Sequence, residues 1–326
     1  MKRYLFLIVV LVMHNSACAN ESISNLITPV SYFVDHVKQL DEVKNNLAKY
    51  RQASIVGISG IGKTQLARSY AYENKDKYNV TWFFDCSIDM NHEFVKLARQ
   101  LNKKANAGLP EDPKQSKKAV TDYLRDKDNW LLVFDNLKIN ENKKVQDLLD
   151  WEHNGNVIFC SQDIEAFPYT VTMTTFTNKD SLTLISKLLE NKNKDDTNFL
   201  VKAFSGYPIL IVQGTQLLNQ VKWLNKEEYK KKIYQSADKI KFNIALTIKE
   251  LKPSASQLLH KIALINNQAF SKQLLVVITD SPTTIEDDIY QLSKFMLISN
   301  STADDDNPIF EMHDVIAQKT MEINND

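Results

Sequence analysis

The sequence contains little cysteine and has no excess of charge of either sign. It has 3 cysteines, 40 basic residues and 40 acidic residues among 326. The cysteines are too few for a disulfide framework and lack the spacing of a metal site. A net charge of zero gives no general attraction to nucleic acid or membranes, and a 43% share of hydrophobic residues excludes a disordered chain. We therefore expect a globular protein of two or three packed units.

The N-terminus has the three parts of a secretory signal peptide. Met1-Lys2-Arg3 is a basic start, Tyr4 to Met13 is an apolar core, and Ala17-Cys18-Ala19 is a cleavage site of small residues. The apolar run is shorter than the roughly twenty residues of a membrane helix. The pattern predicts an exported protein, cleaved after Ala19, with no membrane span afterwards. The alternatives are lipidation at Cys18 and an accidentally apolar leader on a cytoplasmic protein.

Short apolar runs alternate with helical patterns between residues 53 and 176. Runs that are apolar throughout and joined by helices are typical of a parallel sheet covered on both faces. The sequence therefore predicts an α/β fold here, with a loop over Lys103–Lys114. The predicted strands are Ser54–Val56, Val80–Cys86, Trp130–Asp135, Asn156–Cys160 and Thr170–Phe176.

After residue 176 the spacing of apolar residues becomes helical. The predicted helices are Ser181–Leu189, Thr197–Ser205 and Ile209–Leu218. From near Phe242 further helices precede a ribbon of two strands, Phe295–Ser299 and Ile309–Met312, an order that predicts a winged helix. We thus expect a signal peptide over 1–19, an α/β domain over 20–176, a helical domain over 177–241 and a winged-helix domain over 242–326.

Glycine is scarce, with 7 residues, yet three of them lie in the stretch from Gly57 to Thr64, which reads GISGIGKT. This stretch matches the P-loop pattern G-x-x-x-x-G-K-S/T and lies between a predicted strand and a predicted helix over Lys63–Asn74. The backbone N–H groups of such a loop surround phosphates at a helix N-terminus. Lys63 would bind the terminal phosphates, and Thr64 would offer its hydroxyl to Mg²⁺. The predicted nucleotide-binding residues of this stretch are Gly57, Ser59, Gly60, Ile61, Gly62, Lys63, Thr64 and Gln65.

In addition to the P-loop hydroxyl, the metal ion of a P-loop protein needs a carboxylate ligand. Asp135 ends an apolar strand at the carboxyl edge of the predicted sheet, from which it can reach Mg²⁺. The next residue is Asn136, where many ATPases have an acid that orients or activates water. An amide cannot accept a proton, so this position argues against rapid hydrolysis.

In addition to the P-loop, five motifs resemble those of the NB-ARC group of signal-transducing ATPases, which includes plant disease-resistance proteins and the apoptotic protease-activating factor. The resemblance extends from Tyr32 to the C-terminus, and the motifs occur in the family's order. They are Phe33-Val34-Asp35-His36, Trp130–Asn136, Val157–Asp163, Gly206–Leu210, and Glu311–Val315 with an intact Met-His-Asp. The resemblance implies a P-loop NTPase domain followed by a helical domain and a winged helix.

The resemblance also implies roles for individual residues. Phe33 and Val34 would pack against adenine, and Pro208 would lie near the base. His313 would touch the β-phosphate of ADP and hold the winged helix over the nucleotide. ADP or ATP with Mg²⁺ is the implied cofactor, and the metal ligands would be Thr64 and Asp135.

The implied catalytic positions are Asp135, Asn136 and Gln162. Gln162 stands where the family has a sensor arginine, so a charge that would recognise the γ-phosphate is missing. Such an arginine can contribute a factor of about 10³–10⁵ in rate. The resemblance therefore implies slow hydrolysis and a state biased towards ADP. A partner could still supply an arginine.

Three functions remain open: a nucleotide-dependent switch, a turnover ATPase and a winged-helix DNA-binding regulator. Residues 246–326 contain 6 lysines, no arginine and 12 acidic residues, and Asp304–Asp306 lie in the predicted wing. Phosphate contacts need Lys and Arg, so we expect no DNA binding. The family's usual effector domain and repeats are missing from the sequence. This favours a stand-alone regulator that acts on a protein partner or self-associates, with a remnant of a longer gene as the alternative.

Overall fold

The computed structural model describes residues 22–324 except for 88, 139–144, 146–152, 164–166, 223, 266–268 and 301–307. The predicted signal peptide at 1–19 and the acidic stretch Asp304–Asp306 therefore lie outside the described residues. Within the described ranges, the chain forms an α/β part, a helical part and a C-terminal part with a small sheet. No helix in these ranges is long and apolar enough to cross a membrane.

The α/β part is built on a six-stranded sheet whose described pairs are all parallel. Its strands are β1 (Ile23–Ser24), β2 (Gln52–Val56), β3 (Val80–Asp85), β4 (Asp128–Leu137), β5 (Asn154–Ser161) and β6 (Thr170–Thr172), in the order β1-β3-β4-β5-β2-β6. The strand that leads into the P-loop, β2, lies between β5 and β6. The predicted parallel α/β fold is confirmed.

Helices cover both faces of this sheet. They are α1 (Val37–Tyr50), α2 (Lys63–Glu73), α3 (Met90–Ala105) and α4 (Ser116–Arg125). Successive side chains of a strand point to opposite faces, and β4 is buried on both. Trp130 and Phe134 pack with residues of α3 and α4, whereas Leu131 and Val133 pack with residues of α1 and α2. This two-sided burial explains why the strand is apolar throughout.

The helical part consists of α5 (Asn178–Leu188), α6 (Lys194–Phe204), α7 (Pro208–Gln220), α8 (Lys226–Gln235) and α9 (Lys239–Glu250). Gly206 fixes the start of α7 against the end of the α/β part. Its φ is +75°, and an added Cβ would lie 2.1 Å from the carbonyl oxygen of Phe176. Pro208 then occupies the first turn of α7, where a missing N–H costs nothing.

The C-terminal part has helices α10 (Pro253–Ile265), α11 (Lys272–Ile278), α12 (Ile285–Lys294) and α13 (Asp314–Asn324). Its strands β7 (Ala269–Ser271), β8 (Ser299–Asn300) and β9 (Ile309–Glu311) form an antiparallel sheet in the order β7-β9-β8. One apolar cluster runs through both the helical and the C-terminal parts. The predicted boundary between residues 241 and 242 falls inside α9, not in a linker.

The sequence predictions were wrong at three places in the strands. The apolar run Phe295–Ser299 forms a strand only at Ser299, because Leu297 and Ile298 are buried in the turn after α12. The run from Thr170 ends as a strand at Thr172, not at Phe176. The small sheet has a third strand, β7, that the sequence did not predict. Short apolar runs do not distinguish a strand from another buried segment.

Gly155 of β5 is required by the packing of a buried tryptophan. An added Cβ would lie 2.0 Å from the ring of Trp130, which is held by hydrogen bonds from its Nε1 to the carbonyls of Leu124 (2.9 Å) and Lys127 (3.1 Å). We expect Gly155→Ala to lower the free energy of unfolding by about 1–3 kcal/mol through overpacking, measured by urea denaturation. Gly108→Asn is the control, because that site has open space and a φ of +66° that asparagine tolerates. Equal stabilities of the two variants would contradict the prediction.

Candidate functional site

The P-loop turns at the carboxyl end of β2 and opens helix α2, as the sequence predicted. A glycine is required at position 60 for two reasons. Its φ is +79°, and an added Cβ would lie 2.9 Å from the side chain of Ile209 and 3.1 Å from the hydroxyl of Tyr207. The Tyr207 hydroxyl also donates a hydrogen bond to the carbonyl of Ser59. The start of α7 therefore lies directly on the loop.

Lys63 is a buried ammonium within this loop. Its side chain donates hydrogen bonds from Nζ to the carbonyls of Gly57 at 2.8 Å and Ile58 at 3.0 Å. Burial lowers the pKa of Lys63, whereas nearby Cys160, Asp135 and Asp314 act in the opposite direction. An ammonium has three N–H donors, and the loop carbonyls accept two. A phosphate would therefore bind the remaining donor or compete with these carbonyls.

The two residues predicted as metal ligands are in direct contact. The Thr64 hydroxyl donates to Oδ2 of Asp135 at 2.8 Å, and the backbone N–H of Asn136 donates to Oδ1 at 3.0 Å. Burial raises the pKa of Asp135, while the bond from Thr64 and the charge of Arg68 lower it. Thr64 and Asp135 therefore place two oxygen atoms next to the phosphate-binding loop.

A single cavity lies against the P-loop, helix α7 and the C-terminal part. Nine of the predicted site residues line it: Ser59, Gly60, Gly62, Lys63, Thr64, Gln65, Asn136, Pro208 and His313. The C-terminal part contributes Met296 to Ser299 from the turn and strand after α12, and Glu311 to Asp314 from β9 and the start of α13. Residues that are distant in the sequence thus surround one space.

Four other predicted residues do not line this cavity. Gly57 and Ile61 lie within the loop, and the carbonyl of Gly57 accepts from Lys63. Asp135 is 3% exposed and lies behind Thr64. Gln162 lines a second cavity, which shares Lys63, Asn136 and Asp314 with the first. The position that would bear the sensor arginine therefore lines the second cavity, to which Lys63 also contributes.

The segment before α1 lies beside the cavity, but Phe33 and Val34 do not line it. The lining residues of this segment are Val30 and Tyr32. The Val30 N–H donates to Oε1 of Gln65 at 3.0 Å, which fixes this segment against the start of α2. Val34 instead packs in the apolar cluster of the helical and C-terminal parts. Val30 and Tyr32 of this segment, instead of Phe33 and Val34, therefore line the cavity.

His313 faces the cavity as a neutral hydrogen-bond donor. The Val315 N–H donates to its Nδ1 at 3.1 Å, so the proton of the neutral ring is on Nε2. The ring of His313 is exposed at the cavity, but desolvation by the surrounding chain lowers its pKa to about 4, and the charges of Lys63 and Arg68 act in the same direction. At neutral pH the ring therefore offers an Nε2–H group without a full charge.

An ion pair between α2 and β9 was not predicted from the sequence. Arg68 binds Glu311 through two hydrogen bonds of 2.7 and 2.6 Å. Their side chains are 8% and 13% exposed, and both residues line the cavity. One feature of the sequence could have indicated a role for Arg68 at the site. It follows Thr64 by four residues and therefore lies on the same face of the helix. The pair connects the P-loop helix directly to the C-terminal part.

Three buried polar atoms in the cavity lining have no hydrogen-bond partner within the described part of the chain. They are Nε of Arg68, Nδ2 of Asn136 and Oε1 of Gln213. An unsatisfied buried polar group costs about 1–3 kcal/mol. Arg68 lies on α2, Asn136 near the end of β4 and Gln213 on α7.

Comparison with known proteins agrees with this arrangement. Residues 36–195 match the NB-ARC domain family. A nucleotide-binding leucine-rich repeat (NLR)-like protein from Hyaloscypha variabilis is 25% identical in an alignment of 201 residues that covers 53% of this chain and 20% of that protein. The chain therefore spans a fifth of the length of this curated relative.

A solved structure shows the same fold. It is a Signal Transduction ATPase with Numerous Domains (STAND) protein with a tetratricopeptide repeat sensor, from Pyrococcus horikoshii. It superposes with a TM-score of 0.61 at 16% identity, covering 91% of this chain and 44% of that protein. The likeness supports the P-loop NTPase fold.

The environment of His313 predicts an unusual titration. Because the pKa in the folded chain is about 4, below the ordinary 6.5, any stability that depends on the neutral ring is present at pH 7 and is lost as the pH falls towards 4. We expect nuclear magnetic resonance of ¹⁵N-labelled histidine to show a neutral Nε2–H tautomer at pH 6. His313→Asn assigns the signal. A midpoint near 6.5, or a proton on Nδ1, would contradict the prediction.

Proposed function

We propose, on the premise that residues 36–195 form an NB-ARC nucleotide-binding module of the STAND class, that this chain is a nucleotide-dependent switch. ADP would lie among the α/β, helical and C-terminal parts and hold them together. Exchange of ADP for ATP would separate them. The observation that supports this most directly is the single cavity that all three parts line.

The chemistry of the cavity suits a nucleoside diphosphate. Near the P-loop, the Lys63 ammonium and the His313 Nε2–H are donors that would face phosphate oxygens, whereas the Thr64 hydroxyl donates its hydrogen to Asp135 and would offer its oxygen to Mg²⁺. The unpartnered nitrogens of Arg68 and Asn136 lie in the same lining. Charge-assisted hydrogen bonds of this kind contribute about 1.5–3 kcal/mol each. An anionic chain therefore fits this end.

The cavity also has mainly apolar lining residues that suit a base. Val30, Tyr32, Pro208, Ile209 and Val212 line it. Ligand sites typically combine such a surface with a few polar groups that fix orientation. These residues support the proposed place for adenine, with Val30 and Tyr32 in the role that the resemblance implied for Phe33 and Val34.

Thr64 and Asp135 would hold Mg²⁺ beside the phosphates. Mg²⁺ is usually bound in proteins by one or two carboxylates together with substrate phosphates and water. When bound, the ion neutralises charge on the phosphates, and it would favour the ionised form of Asp135, whose pKa burial raises. The contact between the Thr64 hydroxyl and Oδ2 of Asp135 supports these two residues as ligands.

We assign the C-terminal part as a winged helix. The order α10-β7-α11-α12-β8-β9, with an antiparallel sheet of three strands, is typical of that fold. Helix α12, the counterpart of a DNA-recognition helix, has Glu286 and Asp287 in its first turn. These acids oppose contact with DNA phosphates. We therefore propose that this part controls the switch and does not bind DNA, and that the output is a protein partner or self-association.

Two contacts would hold the proposed closed state, in addition to the nucleotide. The Tyr207 hydroxyl joins the helical part to the P-loop carbonyl of Ser59, and Arg68 joins α2 to Glu311 of the C-terminal part. Inverting a two-state population from 1:99 to 99:1 needs about 5.5 kcal/mol of differential binding. Contacts from His313 to a phosphate in one state alone could provide part of that difference.

Slow hydrolysis is part of the proposal. Asn136 cannot accept a proton, and Gln162 lies in the second cavity, where it brings no charge towards a phosphate. Transfer of a phosphoryl group depends on positioning and on neutralising developing charge. A turnover ATPase is therefore the less favoured function. Export through residues 1–19 stays a prediction.

Nucleotide binding is tested on the purified full-length protein. We expect the denatured protein to release ADP. We also expect Lys63→Met to weaken ADP binding by roughly 10- to 150-fold, since it removes charge-assisted hydrogen bonds of about 1.5–3 kcal/mol. Calorimetric titration measures the affinity. Lys38→Met is the control, because that side chain is 83% exposed on α1.

Two outcomes of this test would count against the switch. A wild-type protein that releases no nucleotide and binds no added ADP would refute the proposal. Steady phosphate release that Lys63→Ala abolishes would favour the turnover ATPase instead.

The role of the Arg68–Glu311 pair is tested by Glu311→Gln. The substitution leaves the buried guanidinium without its counter-charge, so the C-terminal part should separate more readily. We expect ADP to dissociate roughly tenfold faster or more, measured by displacement of a fluorescent ADP analogue. Asp287→Asn is the control, because its pair with Lys252 is exposed. Unchanged dissociation in both Glu311→Gln and Arg68→Met would show that the pair does not hold the closed state.

A further inference from the structure

Tyr32 lines the cavity with a hydroxyl that is unpartnered among the residues the structure describes. The side chain is half-buried, and the ring packs against the apolar cluster of the helical and C-terminal parts. The hydroxyl oxygen keeps some accessible surface, unlike the completely buried polar atoms of Arg68, Asn136 and Gln213. A ligand atom can therefore approach it.

The Tyr32 hydroxyl opens into the cavity and not onto the outer surface. Burial raises the pKa of Tyr32 to about 12, because protein atoms surround the oxygen on most sides. An oxygen that is surrounded in this way and is still accessible lies at an enclosed space, and the space that Tyr32 lines is the cavity. At neutral pH the hydroxyl keeps its proton, so it can both donate and accept a hydrogen bond.

A tight turn fixes the position of Tyr32. The Phe33 N–H donates to the carbonyl of Val30 at 2.9 Å, and Tyr32 lies between these two residues. The Val30 N–H donates to Gln65 of α2 at 3.0 Å, and the carbonyl of Phe33 accepts from Lys187 of α5. Both ends of the turn are thus attached to other elements, so the ring needs little further ordering when a ligand binds.

The hydroxyl of Tyr32 is a polar group within a mainly apolar part of the lining. The residues proposed above to contact adenine include the apolar Val30, Pro208, Ile209 and Val212. Ligand sites of this kind fix the orientation of the ligand with a small number of placed polar groups. The Tyr32 hydroxyl, on the same segment as Val30, is suited to this role.

We infer that the Tyr32 hydroxyl recognises the nucleoside through one hydrogen bond, to a base atom or to a ribose hydroxyl. The inference rests on the proposed function and adds a specificity-determining residue to it. Because the hydroxyl is unpartnered in the described part of the chain, its hydrogen bond forms with the ligand and not with the protein. Loss of the hydroxyl should therefore weaken nucleotide binding and leave the stability of the empty protein unchanged.

Tyr32→Phe is the decisive variant, because it removes the oxygen and keeps the ring. On the full-length protein, calorimetric titration should show ADP binding weakened by about 2- to 12-fold, the effect of one neutral hydrogen bond. The midpoint of urea denaturation, measured after removal of nucleotide, should not fall. Tyr290→Phe is the matched control, because that ring is 66% exposed on α12. It should change neither the affinity nor the midpoint.

The atom that Tyr32 binds is identified with six ADP analogues. Each lacks one polar group of the nucleoside: the 2′-hydroxyl, the 3′-hydroxyl, the 6-amino group, or the ring nitrogen at position 1, 3 or 7. The wild type should bind one analogue about 2- to 12-fold more weakly than ADP. The Tyr32→Phe protein should bind that analogue and ADP with equal affinity.

The outcomes separate this inference from the proposed function. A wild type that binds no ADP refutes both. A Tyr32→Phe protein that binds ADP as tightly as the wild type refutes the inference alone. A fall in its denaturation midpoint also refutes the inference, because the hydroxyl would then serve the fold. So does a set of analogues in which the difference from ADP disappears for none of the six.

Discussion

The buried ammonium of Lys63 is the constraint on which the rest of the site depends. A cation removed from water is unfavourable unless it is paired or hydrogen-bonded. Lys63 has two loop carbonyls as acceptors, with Asp135 and Asp314 nearby. Arg68 adds a second cation to the same lining, partly neutralised by Glu311. The phosphates of a nucleotide are the ligand chemistry that balances this excess of donors.

The contacts between the three parts affect how the parts are held against one another more than they affect the free energy of unfolding. Replacing a buried ion pair by apolar residues is often neutral or stabilising, whereas removing one partner is costly. The Arg68–Glu311 pair therefore contributes little to the free energy of folding. It does oppose the separation of β9 from α2, because both charges would then have to be hydrated or bind new partners. The Gln213–Met296 bond acts similarly between α7 and the turn after α12.

Local signals in the sequence predicted the P-loop, the parallel sheet and the positions of Lys63, Thr64 and His313, because each depends on neighbours close in the chain. Contacts between distant residues were not predictable in this way. Arg68 and Glu311 are 243 positions apart, and Gln213 and Met296 are 83 apart. The resemblance pointed to Phe33 and Val34, whereas Val30 and Tyr32 line the cavity. The bond from Val30 to the side chain of Gln65, 35 positions away, leaves no pattern in the sequence.

The same groups that suit the cavity for binding make it poorly equipped for turnover. In the cavity lining, Lys63 and His313 offer donors, and Asn136 offers an amide. Asp135, the acid beside them, already accepts from the Thr64 hydroxyl and from the backbone N–H of Asn136, and burial raises its pKa. Under the proposed function, these bonds leave Asp135 poorly suited to take a proton from water. The proposed switch would then retain its nucleotide longer than a turnover ATPase does.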